Sequence, residues 1–107
     1  MRVVPDDMIE EVARRFALLG DPTRLHIVRI LHERGEATVS EIAVAAGTSI
    51  PNASQHLRRL LLGGVAARVR DGQAVRYRIT DPAIEQLCAI VCGSVTGKIM
   101  PPGRRAV

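Results

Sequence analysis

At 107 residues and 47% hydrophobic content, the chain is about one domain long, a size at which a single core buries somewhat under ~70% of the unfolded surface. There is no Trp, one Tyr (Tyr77) and one Phe (Phe16), so the core must be built from Leu, Ile, Val and Ala, which favours packed helices completed by a second subunit. The formal net charge is +4, and of the 15 cationic residues all but Lys98 are Arg, whose planar fork suits phosphates and guanine edges. Two cysteines, Cys88 and Cys92, are too few for a disulfide scaffold. The opening MRVVPDDM holds no apolar leader, and no segment approaches the ~20 apolar residues of a membrane span, so a cytoplasmic protein with no membrane partner is expected.

Asp6 and Asp7 are placed to cap a first helix whose apolar residues Ile9, Val12, Phe16 and Leu19 recur every three or four positions until Gly20. Asp21-Pro22 restarts the chain in the N-cap and N1 arrangement, and Leu25, Val28 and Leu31 form the stripe of a second helix ending at Gly35. TVSE from Thr38 to Glu41 is a capping box and opens a short third helix that stops at Gly47. Thr48-Ser49 leads into a fourth helix, with Pro51 in its first turn, that runs to about Leu62. Beyond Gly63-Gly64, Val65, Ala67 and Val69 alternate with Arg68 and Arg70, Asp71-Gly72 turns the chain, and Val75, Tyr77 and Ile79 alternate with Arg76 and Arg78. This reads as a β-hairpin with four arginines on one face. Asp81-Pro82 caps a last helix whose Ile84, Leu87, Cys88, Ile90, Val91, Cys92 and Val95 require burial on more than one side. The fold class is mainly α with a β-hairpin wing, a winged helix-turn-helix of order α-α-α-α-β-β-α. Residues 1–97 form the domain and 98–107, rich in Pro, Gly and Arg, a flexible tail.

The third and fourth helices, joined by a glycine turn, carry the residue types that read a major groove. Asn52 and Gln55 suit adenine edges, while Arg58 and Arg59 reach guanine or phosphate. Thr48, Ser49 and Ser54 sit near the helix N-terminus, where phosphates bind, and His56 lies on the same helix. Four like charges on adjacent strands repel, and an anionic partner resolves the conflict. The wing, with Arg68, Arg70, Arg76 and tip residue Gln73, is therefore expected to lie along a duplex backbone or in its minor groove.

The phrases FALLGDPTRLHIVRIL (16–31), VSEIAVAAGTSIPNASQHLRRLLLGGVA (39–66) and RVRDGQAVRYRI (68–79) resemble the ArsR/SmtB family of bacterial winged-helix repressors, from Ala13 to about Val95. The resemblance implies a homodimer formed through the first and last helices. It also implies that the SQHL-bearing helix enters the major groove, with its two copies roughly 34 Å apart on an imperfect palindrome. It further implies derepression by a metal ion of the nickel or zinc type, a thiol-reactive signal or a partner co-sensor protein.

The family's effector sites are poorly matched. Glu41-Ile42-Ala43-Val44-Ala45 stands where relatives place a Cys-x-Cys. Asp81 keeps one expected position of a last-helix site, but Ala83, Ser94 and Gly97 replace further ligands, so Asp81 reads as an N-cap. Cys88 and Cys92, four apart on one helical face, are the remaining thiol or metal candidates, beside the reading of both as packed apolar residues. His26 and His32, six apart, are weaker ligand candidates expected on different sides of their helix. No triad, phosphate loop or HExxH pattern is present, so an enzyme is not expected. The alternative to DNA binding is a winged-helix protein–protein module whose arginines meet an acidic protein.

Overall fold

Short polar side chains followed by proline set three of the helix starts in the computed structural model, which describes residues 3–97; the expected tail lies outside the described residues. Asp21, Ser49 and Asp81 accept first-turn backbone N–H groups from Arg24, Asn52 and Ala83 at 2.9, 3.1 and 3.0 Å. They open α2 (Pro22–Arg34), α4 (Ile50–Leu62) and α5 (Pro82–Thr96). The first helix differs from expectation. Asp6 and Asp7 lie in a 3-10 turn (Asp6–Met8), and α1 (Ile9–Leu19) begins after Met8, which makes no side-chain cap.

Between α2 and α3 (Val39–Ala46) the chain adds a strand that period-two patterning could not reveal in two residues, β1 (Ala37–Thr38). Thr38 closes this strand and opens α3 through the expected capping box. The Glu41 N–H donates to Thr38 Oγ1 at 3.2 Å, and the Thr38 N–H donates to Glu41 Oε1 at 2.8 Å. That N–H, held against the carboxylate, lowers the Glu41 pKa below its ordinary 4.5. A lowered folded-state pKa gives stability that is present in full above the ordinary value and is lost as pH falls through the lowered one. Glu41→Gln is therefore expected to lower the urea midpoint at pH 7, and the gap from wild type to narrow as pH falls below 4.5 and through the lowered folded-state value.

The hairpin strands β2 (Ala66–Asp71) and β3 (Ala74–Ile79) pair antiparallel, with β1 on the far side of β3, giving the order β1-β3-β2. The turn is Gly72-Gln73, where Gly72 takes φ +65°, a left-handed value natural to glycine. Asp71 then faces Ala74, Arg70 faces Val75 and Arg68 faces Tyr77. Residues directly opposite share a sheet face, so Arg68 and Arg70 lie with Val75, Tyr77 and Ile79, and Arg76 and Arg78 lie on the other face with Ala67 and Val69. The expected single face of four arginines does not form. A two-residue turn pairs odd-numbered with even-numbered positions, so the even-numbered arginines of the two strands fall on opposite faces.

The core is aliphatic, as the composition requires. Ile27, Val28 and Leu31 of α2 meet Ile42 and Ala43 of α3, Ala53, Leu57 and Leu60 of α4, Val65, Ala66 and Tyr77 at the sheet, and Ile84 of α5. α1 contributes no fully buried residue, and Ile84 is the one buried residue of α5. Phe16 is 53% exposed, Val91 50% and Val95 80%. The last helix, expected to be covered on several sides, is covered by its own chain on one.

Candidate nucleic-acid interface

The turn between α3 and α4 is fixed by backbone and side chain together. Gly47 caps α3 at φ +67°, and the Thr48 N–H returns to the Ala43 carbonyl at 3.0 Å. The Asn52 side-chain amide donates to Thr48 Oγ1 at 2.7 Å, while Ser49 Oγ caps α4. Three of the expected DNA-contacting residues thus also build the helix entrance. α4 buries Ala53, Leu57 and Leu60 against the core, which turns Ser54, Gln55 and Arg58 outward.

These outward residues form one wall of a cleft of about 620 Å³, and the wing forms the other. Pro51, Ser54, Gln55 and Arg58 face Arg68 and Tyr77 across it. Arg68 enters the cleft because of the hairpin register described above. Among the described residues no ion pair neutralises Arg58, Arg68 or Arg70, and all three are exposed. The cleft therefore combines a side-chain amide, a hydroxyl and two guanidinium groups that are unpaired among the described residues, group types able to hydrogen-bond base edges or phosphates.

Other expected contacts lie elsewhere. The His56 ring is 17% exposed and points away from the cleft; its Nδ1 is 3.3 Å from Arg24 Nη1 and 3.8 Å from Asp21 Oδ2. Arg24 is itself anchored, donating from Nε to the Leu18 carbonyl at 2.8 Å. His56 ties α4 to the α1–α2 turn, a position that its spacing next to Gln55 did not reveal. Arg59 lines a separate groove beside α1, with Arg14, Arg15, Leu18 and Arg24. Arg76 approaches Glu41 at 3.7 Å and Asp71 at 4.0 Å, so it binds the wing to the start of α3. Gln73 is exposed at the wing tip. Arg15, absent from the expected site, makes an ion pair with Asp81 and so ties α1 to the start of α5.

The effector candidates converge more than their spacing implied. Cys88 and Cys92 line a groove of about 600 Å³ between α2 and α5, together with both His26 and His32 and with Glu33 and Glu85. The two histidines share that groove despite the expectation that they would lie apart. Cys88 is half-buried, and burial raises its thiol pKa; Cys92 is exposed. Among the described residues no three His, Cys, Asp or Glu side chains are grouped closely enough to hold a metal ion. The described residues of one chain therefore assemble no zinc set, which takes four ligands or three with an open position.

A helix-turn-helix flanked by an antiparallel wing, with a polar, cationic cleft between reading helix and wing, defines a winged helix-turn-helix DNA-binding domain. Residues 19–69 match the helix-turn-helix domain family. The chain is 39% identical over 84 residues to a protein of Streptomyces lividans named as a probable mercury resistance operon repressor, spanning 78% of this chain and 66% of that one. It is 32% identical over 82 residues to the HTH-type transcriptional regulator MJ1325 of Methanocaldococcus jannaschii, named as uncharacterized, spanning 77% of this chain and 92% of that one. Its fold matches the homodimeric winged helix-turn-helix domain Mb0332 of Mycobacterium bovis, described as a possible ArsR-family regulator, with TM-score 0.74, 29% identity and full coverage of both chains. The chain belongs to the ArsR/SmtB family of winged helix-turn-helix transcriptional regulators. It spans slightly under two thirds of the length of the Streptomyces relative.

Proposed function

We propose that this chain is a homodimeric transcriptional repressor whose 1–97 domain reads a palindromic operator and acts in the cytoplasm. The observation that carries the reading is the cleft between α4 and the wing, where Gln55, Arg58 and Arg68 stand exposed, with neither arginine ion-paired among the described residues. Ser54 and the hydroxyls of Thr48 and Ser49 lie at the positive end of α4, where a phosphate is favoured. Arg70 and Gln73 extend the contact along the wing; Asn52, His56 and Arg76 hold the reading surface in place, and Arg59 flanks it. The exposed apolar side chains of α1 and α5, around a groove of about 440 Å³ that includes Phe16, Leu25, Val91 and Val95, give the second subunit its seat. The homodimeric state of the Mycobacterium bovis domain supports a second subunit.

For the signal, Cys88 and Cys92 favour a thiol-directed effector over a nickel or zinc ion, because two thiols share one face of α5 and the described residues of one chain group no three metal-ligating side chains. The relatives include a protein named for mercury resistance, which is consistent with a soft, sulfur-seeking signal. A separate co-sensor protein gains no support from the relatives. No helix among the described residues is long and apolar enough to cross a membrane. The test is a gel shift on the DNA upstream of the chain's own gene, with a scrambled duplex as competitor. Retardation that survives excess scrambled duplex is expected. No retardation at low salt, together with capture of an acidic protein, would favour the protein–protein module instead.

A further inference from the structure

We propose that the first turn of α4 reads thymine through its C5-methyl group, using the exposed apolar pair Ile50 and Pro51; this rests on the DNA-binding reading above. The polar groups at the helix entrance hold one another in place, leaving the two hydroxyls free to donate to a phosphate but drawing Asn52 inward from the base edges. Ser49 Oγ accepts the Asn52 N–H at 3.1 Å, and the Asn52 side-chain amide donates to Thr48 Oγ1 at 2.7 Å. Asn52, expected to read adenine, is half-buried in this arrangement. What the tip of the helix offers outward instead is apolar. Ile50 is 49% exposed, and Pro51 is exposed and lines the cleft with Ser54, Gln55 and Arg58.

Helical spacing places these residues as neighbours. Ser54 is four positions from Ile50 and three from Pro51, and Gln55 is four from Pro51, so the apolar pair lies one turn below the polar readers. In helix-turn-helix proteins the N-terminal residues of the reading helix approach the base edges. The thymine methyl is the apolar feature that the major groove presents, and the amide of Gln55 matches the paired N6 and N7 of adenine. One turn of this helix thus recognises A·T pairs twice, by methyl contact below and by hydrogen bonds above.

Deoxyuridine removes the methyl and leaves the base pair intact. Duplexes bound by the full chain would be selected from a random pool, and each thymine of the recovered site replaced singly by deoxyuridine. At one or two thymines per half-site, binding is expected to weaken about fourfold, the effect of withdrawing one buried methyl. At those positions the difference between thymine and deoxyuridine is expected to shrink toward onefold in Ile50→Ala or Pro51→Ala, whose helix content is checked by circular dichroism. The wild-type scan requires no variant. A specific site whose affinity is indifferent to every thymine methyl, or a methyl effect undiminished in both variants, would overturn the inference while leaving DNA binding in place. Recovery of no specific duplex would overturn both.

Discussion

Val91→Glu is expected to leave a folded monomer that has lost about 100-fold or more of its operator affinity. Val91 is half exposed on α5 in the single chain, so a carboxylate there disturbs no core contact. In the dimer the same side chain would be enclosed by the apolar faces of α1 and α5, and an uncompensated charge in such a place costs roughly 3–5 kcal/mol. One protomer then faces one half-site, and with half the phosphate contacts the dependence of log affinity on log salt falls to about half its slope. Sedimentation equilibrium reads the first effect and fluorescence anisotropy the second. A variant that remains dimeric would move the subunit interface away from α5.

Arg58→Ala and Arg68→Ala are each expected to weaken operator binding by roughly 1–3 kcal/mol where the guanidinium contacts a base, or to reduce the salt slope by about one where it contacts a phosphate. Both groups line the cleft, and neither is ion-paired among the described residues. Arg76→Ala acts differently. Its guanidinium is occupied by Glu41 and Asp71, so its loss loosens the wing from α3 and shows first in thermal stability rather than in the salt slope. If Arg76→Ala reduced the slope as much as Arg68→Ala, the wing face that carries Arg76 and Arg78 would also meet the duplex.

Much of this was legible in the sequence because local chemistry dictates it. The caps Asp21, Thr38 and Asp81, the prolines after the two aspartates, and the glycines after α1, α2 and α3 act within one turn of chain, and the structure uses them as expected; Asp6 and Asp7 instead form a separate 3-10 turn, and the Ser49 cap was not foreseen. The errors arose where position depends on partners far along the chain. His56 follows Gln55 in sequence, but its direction is set by Arg24 and Asp21 across the α1–α2 turn. β1 exists because Ala37 and Thr38 find Tyr77 and Arg76, some forty residues on. The hairpin was different in kind. Once a two-residue turn is assigned to any pair near Asp71, Arg68 and Arg70 cannot share a face with Arg76 and Arg78, so this correction was available from counting alone. The apolar circumference of α5 pointed to cover that one chain does not provide.

The most direct test of sequence-specific reading by the cleft is the ratio of affinities of the wild-type dimer for its selected operator and for a scrambled duplex of equal length, measured by anisotropy at one physiological salt concentration. A ratio of about 10³ or more is expected, falling toward the nonspecific level when Arg58 and Arg68 are both replaced by alanine. A wild-type ratio near one would mean that the basic surface attracts DNA by charge alone, and would contradict reading by this cleft.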